Sequence, residues 1–138
     1  MKSYTDLEQS KKLAEILPIE SADMHYNNVS IRGVNYVDDY RAELMDSNTA
    51  TTLLSKYFVN PLFEVVPCWS LTALLGVIPK HIKNYNVLRN DISDNDFAIW
   101  YDDVSNGCVN ETLPDITMES AVDACYEMIV KLKEQNLI

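Results

Sequence analysis

Few side chains in this 138-residue chain could do acid–base or ligand chemistry, and they are scattered. The two histidines, His25 and His81, are far apart. His25 follows Asp23 by two residues, and an imidazole beside a carboxylate can be oriented for proton transfer or can share a metal. Either role needs positioned partners, so a surface or connector histidine is the simpler reading. His81 follows Pro79 and Lys80 at an expected helix end, where a cation suits the helix dipole. The carboxylates Asp91, Asp94 and Asp96, then Asp102 and Asp103, raise the question of a cation site. They fail the calcium-loop rule, because neither the glycine at the sixth position nor the bidentate glutamate at the twelfth is present. Aspartate is favoured in turns for local backbone bonding, and both clusters flank expected hairpin turns. The other use of such carboxylates is a docking surface for a basic partner.

No nucleophile elbow, P-loop, dinucleotide fingerprint, His-Glu-x-x-His or Cys-x-x-Cys is present, and three glycines leave no phosphate-cradling loop. The reading assigns no catalytic residue, no cofactor and no metal, and it disfavours an enzyme. Cys68, Cys108 and Cys125 are odd in number and widely spaced, so they read as buried free thiols rather than a disulfide framework or a zinc site. The net charge of −10 is unevenly spread: Asn90 to Val130 holds ten acidic residues and no Lys or Arg, whereas the 89 residues before it carry ten acidic and nine basic residues. Such a surface repels nucleic acid. No apolar run approaches the ~20 residues that span a bilayer, and no signal-peptide core follows Met1, so a cytoplasmic protein is expected.

The aromatic residues add a second possibility for the same region. In Phe97-Ala98-Ile99-Trp100-Tyr101 the alternation of a strand puts Phe97, Ile99 and Tyr101 on one face and Ala98 and Trp100 on the other. Core placement is expected for Trp100 because large aromatics bury most of their surface. An open face would instead make it a contact patch for a protein or a planar ligand, with Tyr85 or Val87 nearby.

Positioning these groups falls to one expected domain, residues 1–138, of α+β class: a small antiparallel sheet of three to five strands packed against the C-terminal helix and a short central Trp-Ser-Leu helix. Thr5-x-x-Glu8 has the form of a capping box and opens a helix that Pro18 stops. Ile19 to Asn28 lacks a period and reads as a connector with a brief extended segment. Val29 to Val37 alternates, slipping phase at Gly33 as a bulge or bend would; Tyr40 and Leu44 fit a helical face, while Tyr40, Ala42 and Leu44 alternate as a strand that continues a hairpin, the reading preferred. Leu53, Leu54, Tyr57 and Phe58 suit a short helix broken at Asn60-Pro61. Pro67 to Pro79 reads as a buried helix of about three turns, with Ser70 as N-cap, Trp69 stapling onto Leu74, and a stripe of Leu71, Leu74, Leu75 and Ile78. Ile82 to Asn90 and Phe97 to Tyr101 form a hairpin, and a type I′ turn at Asn106-Gly107 returns a third strand through Cys108 and Val109. Leu113 to Thr117 opens the last helix with Thr117 as cap. Its stripe is Ala121, Val122, Cys125, Met128, Ile129 and Leu132.

The segments Val66-Pro67-Cys68-Trp69-Ser70-Leu71-Thr72-Ala73-Leu74-Leu75 and Ala121-Val122-Asp123-Ala124-Cys125-Tyr126-Glu127-Met128-Ile129-Val130-Lys131-Leu132, with Ala22-Asp23-Met24-His25-Tyr26, resemble a layout in small uncharacterised phage and prophage proteins of gut bacteria. Those proteins show a Pro-Ala-Trp-Ser-Leu helix ending in Leu-Pro, a short β region and a closing Ala-Val-x-x-Met-Ile-x-Leu helix. Cys68 replaces the small Ala of that pattern. The resemblance covers about half the chain, implies a source and a layout, and carries no catalytic residue. The functional expectation is an accessory protein that binds a host or phage macromolecule, a basic protein surface in particular, through Asp94, Asp96, Asp102, Asp103 and Trp100. Neither nucleic acid nor a membrane is expected as partner, and a homo-oligomer is compatible with the sequence. The alternative is a nucleotide-like ligand held by Tyr85, Trp100 and Arg89 or Arg32. A hydrolase centred on His25 ranks third.

Overall fold

The protein is described by a computed structural model covering residues 2–31, 34–35, 41–44, 63–83 and 85–138. The chain divides into two compact units, Tyr4–Ala73, and Leu74–Ile138 together with Met1–Ser3.

The first unit is organised around strand β1, Met24–Ile31, which pairs antiparallel with β3, Arg41–Leu44, and β4, Phe63–Cys68. The last two residues of β1 pair with β2, Val34–Asn35. Helix α1, Leu7–Ile16, packs on β4. Its cap is Asp6 rather than Thr5. The Asp6 carboxylate accepts the Gln9 N–H at 2.9 Å, and Gln9 Oε1 accepts the Asp6 N–H at 3.1 Å. Thr5 is diverted inward: its hydroxyl accepts the Trp69 N–H at 3.1 Å and bonds the Ser10 hydroxyl at 2.7 Å. The helix ends before Pro18, as expected, and a 3-10 turn, Ile19–Ser21, leads to β1.

The expected connector is therefore half strand. His25 is buried, so a polar residue occupies an interior position and hides the alternation. β4 was equally hidden, because Pro67 argues against a strand, yet it lies in a strand that pairs only with β1 among the described residues. Tyr26, Val66 and Cys68 form the core here, with Leu7 and Met24 packed against them. Leu13 and Trp69 are completely buried. The expected hairpin agrees with β3 over Arg41–Leu44, whereas Tyr40, the Gly33 bend and the helix at Leu53–Phe58 lie outside the described residues.

Helix α2, Leu71–Val77, carries the chain from one unit to the other. It has seven residues, two turns rather than three, because Pro67 and Cys68 belong to β4. Ser70 is the N-cap, accepting the Ala73 N–H at 3.2 Å. Leu74 and Ile78 are buried, while Leu71 and Leu75 are half-buried.

The second unit is a five-stranded antiparallel sheet in the order β5–β6–β7–β8, with β9 also pairing β7. The strands are β5, His81–Ile82, β6, Asn86–Ser93, β7, Asp96–Asp103, β8, Cys108–Val109, and β9, Ile116–Met118. The expected hairpin is β6–β7, with Ser93 opposite Asp96 and Asn86 opposite Asp103. The strand expected to start at Ile82 is instead split near Lys83, whose φ of 52° is left-handed. Buried Asn86 holds that corner, its amide donating to the Ile82 carbonyl at 3.0 Å and its Oδ1 accepting from Asn110 at 2.9 Å. Asn106-Gly107 is not a two-residue type I′ turn. Asp103 pairs with Cys108, so four residues intervene, and Gly107, at φ 73°, donates its N–H to the Asp103 carbonyl.

The last helix, α3, Ala121–Glu134, starts later than expected, with Ser120 rather than Thr117 as cap. Ile116–Met118 is taken up by β9, too short a strand to show a period. α3 packs on β7 and β9, burying Val122, Cys125, Met128, Ile129 and Leu132 as the stripe predicts. Phe97, Ile99, Tyr101 and Ile116 are also buried, so the α+β arrangement with a C-terminal helix on the sheet holds. At about 1.5–3 kcal/mol for each large apolar side chain buried, this interface is the main stabilising feature of the unit. Lys2 joins it from the N-terminus, 2.6 Å from Asp123.

Candidate interaction face

The face of the second sheet turned away from Phe97, Ile99 and Tyr101 carries Asp96, Ala98, Trp100 and Asp102 of β7 by alternation. Register adds Val87, Arg89 and Asp91 of β6, opposite Asp102, Trp100 and Ala98, then Val109 of β8 opposite Asp102 and Thr117 of β9 opposite Ala98. Arg89, Asp91, Asp96, Val109 and Thr117 are exposed. Trp100 is half-buried, short of its expected core position, on the face opposite the buried Phe97, Ile99 and Tyr101.

One carboxylate organises the centre. Asp102 Oδ1 accepts the Trp100 Nε1–H at 2.8 Å, and its Oδ2 lies 3.5 Å from Arg89 Nε. The indole is thereby fixed against the sheet. The Arg89 charge is answered by Asp102, an exposed pair of the kind worth at most about 1 kcal/mol. A phosphate would have to compete with Asp102 for that guanidinium. Tyr85, 61% exposed, lies in the turn before β6, four residues from Arg89. Arg32 is outside the described residues.

The remaining predicted carboxylates are spread along the hairpin. Asp94 sits in the β6–β7 turn with φ 52°, and Asp96 closes that turn opposite Ser93. Asp102 is six residues further along β7, about 20 Å away at strand rise. Asp103 has the opposite parity, and its carboxylate accepts the Ser105 N–H at 2.9 Å and hydroxyl at 2.5 Å. Those bonds hold its carboxyl below the ordinary aspartate value. The structure therefore brings Asp96, Trp100 and Asp102 onto one face and leaves Asp103 to its own turn. Among the described residues no group of three or more His, Cys, Asp or Glu could hold a metal ion.

The other candidates fare differently. His25 is buried in β1, not exposed in a connector, with Glu43 and Pro67 opposite it in register. Asp23 accepts the Ser70 N–H at 2.9 Å and the Ser70 hydroxyl, so its carboxylate supports the cap of α2. His81 is exposed at the start of β5, not at a helix end. Cys68 and Cys125 are buried, whereas Cys108, expected to be buried, is exposed because β8 lies at the sheet margin. Burial raises the Cys68 thiol and pushes that of Cys125 up to about 12, against the opposing charge of Lys80. Asp102 is an expected site residue, but its contact with Arg89 depends on cross-strand register and its bond to the Trp100 indole, two residues along the same strand, on rotamer, so neither is legible in the sequence. Sequence reasoning missed the solvated end of β6, which Arg89 to Asp96, polar but for Ile92, does signal.

Compared with known proteins, the chain matches no family model, no curated protein and no solved structure.

Proposed function

We propose that the chain is a non-catalytic accessory protein, of the phage or prophage kind its layout resembles, acting in the cytoplasm by binding a basic protein. The surface used is the outer face of the second sheet, with Trp100 as apolar anchor and Asp96 and Asp102, flanked by Asp91 and Asp94, as the charged border. The carrying observation is that Trp100 lies on the sheet face opposite α3, its indole N–H held by Asp102, with Asp91, Asp96 and Asp102 on that face against the single cation Arg89 among the described residues. An aromatic anchor ringed by polar residues is the usual form of a binding hot spot, and the carboxylates would steer a cationic partner to it. No described helix is long and apolar enough to cross a membrane.

The experiment is capture from host lysate on immobilised chain. A basic protein is retained at low salt, released as salt rises, and no longer retained by a chain with Asp94, Asp96, Asp102 and Asp103 changed to Asn. Retention of nothing, or retention unchanged in that variant, overturns the reading.

A further inference from the structure

Among the described residues, the hairpin that carries Trp100 has an open edge. β5 covers only the start of β6, with His81 and Ile82 opposite Val87 and Asn86. The Leu88 N–H then donates to the Lys80 carbonyl at 2.9 Å, which marks the limit of that cover. In an antiparallel strand the backbone groups of alternate residues point to the same side. Since those of Leu88 point away from β7, those of Asn90 and Ile92 do too, and no described strand lies beside them. Every residue from Arg89 to Asp96 is exposed. Ile92 is 75% exposed although it pairs with buried Phe97, because α3 packs on β7 and β9.

We infer that the free edge of β6, from Asn90 to Ser93, receives an extended, basic segment of the partner as an added strand. This rests on the binding role proposed above and names its mode: backbone bonds to Asn90 and Ile92 give affinity, the Ile92 side chain gives an apolar contact, and Asp91, Asp94 and Asp96 select for cationic residues. A second copy of the chain is the wrong occupant. Two copies paired along this edge would bring together two sets of Asp91, Asp94 and Asp96, and each chain carries −10.

The test uses the full chain and a synthetic peptide of alternating Lys and Val, with alternating Glu and Val as control, followed by amide exchange in NMR. The Lys-Val peptide slows exchange of the Asn90 and Ile92 amides about tenfold or more, and the control does not. Asn90→Pro removes an edge-facing donor without touching the ladder to β7, so the chain folds and binds the peptide about five- to tenfold more weakly. Where Asn90→Pro disturbs the fold, Ile92→Lys provides the same weakening by charge. Peptide binding that perturbs Trp100 but leaves Asn90 and Ile92 unprotected overturns the edge and keeps the outer face. Absence of binding overturns both.

Discussion

The two faces of β7 run along the same eight residues and have opposite surroundings. Phe97, Ile99 and Tyr101 are buried on one, and Tyr101 donates its hydroxyl to the Pro79 carbonyl at 2.7 Å. Asp96, Ala98, Trp100 and Asp102 on the other are half-buried or exposed, and the largest of them donates its indole N–H to a carboxylate. The difference teaches that the inner face carries the stability of the unit, while the outer face holds an aromatic side chain in a fixed pose where folding does not demand one.

Substitution is the strongest way to break that contrast. Ile99→Ala leaves a cavity under α3 and costs about 2–5 kcal/mol in urea unfolding. Trp100→Ala costs well under half of that, and it abolishes capture of the basic partner. Equal losses of stability from the two would erase the distinction.

Alkali tests the inner face next. The Cys125 thiol is raised from 9.0 to about 12 by burial, and burial raises the Tyr101 hydroxyl as well. Both groups are neutral in the folded chain and ionise earlier when it unfolds. Stability is fully present below about pH 9 and falls as pH climbs towards 12. Urea midpoints across that range read it, and Cys125→Ser flattens part of the slope.

Thiol labelling at neutral pH gives a smaller, discrete result. Cys108 reacts in the native chain, while Cys68 and Cys125 react only after denaturation. Ser105→Ala has the least effect: the Asp103 carboxyl returns towards its ordinary value, seen by NMR titration, and the urea midpoint barely moves.

Much of the second unit was legible in the sequence because its elements repeat a period long enough to detect. The α3 stripe and the Phe97–Tyr101 alternation gave helix, hairpin and the split between faces. What was lost was short, or polar where burial is usual: β9 has three residues, β1 hides behind buried His25, and β4 contains Pro67. The caps at Asp6 and Ser120 moved because the threonines nearby were needed elsewhere, Thr5 in a buried hydrogen-bond network and Thr117 in a strand. The charge run was visible along the chain, but whether its carboxylates share a face depends on strand parity and register. That is how Asp96 and Asp102 came to flank Trp100 while Asp103 closed a turn.

Binding through the outer face of the sheet is read by an amide and indole NMR titration of the full chain with the captured basic partner. Shifts concentrate at Trp100, Asp102, Arg89 and Thr117, including the Trp100 indole N–H, and weaken as salt rises. Shifts confined to the first unit, or a Trp100 signal that does not move while the partner binds, would contradict it.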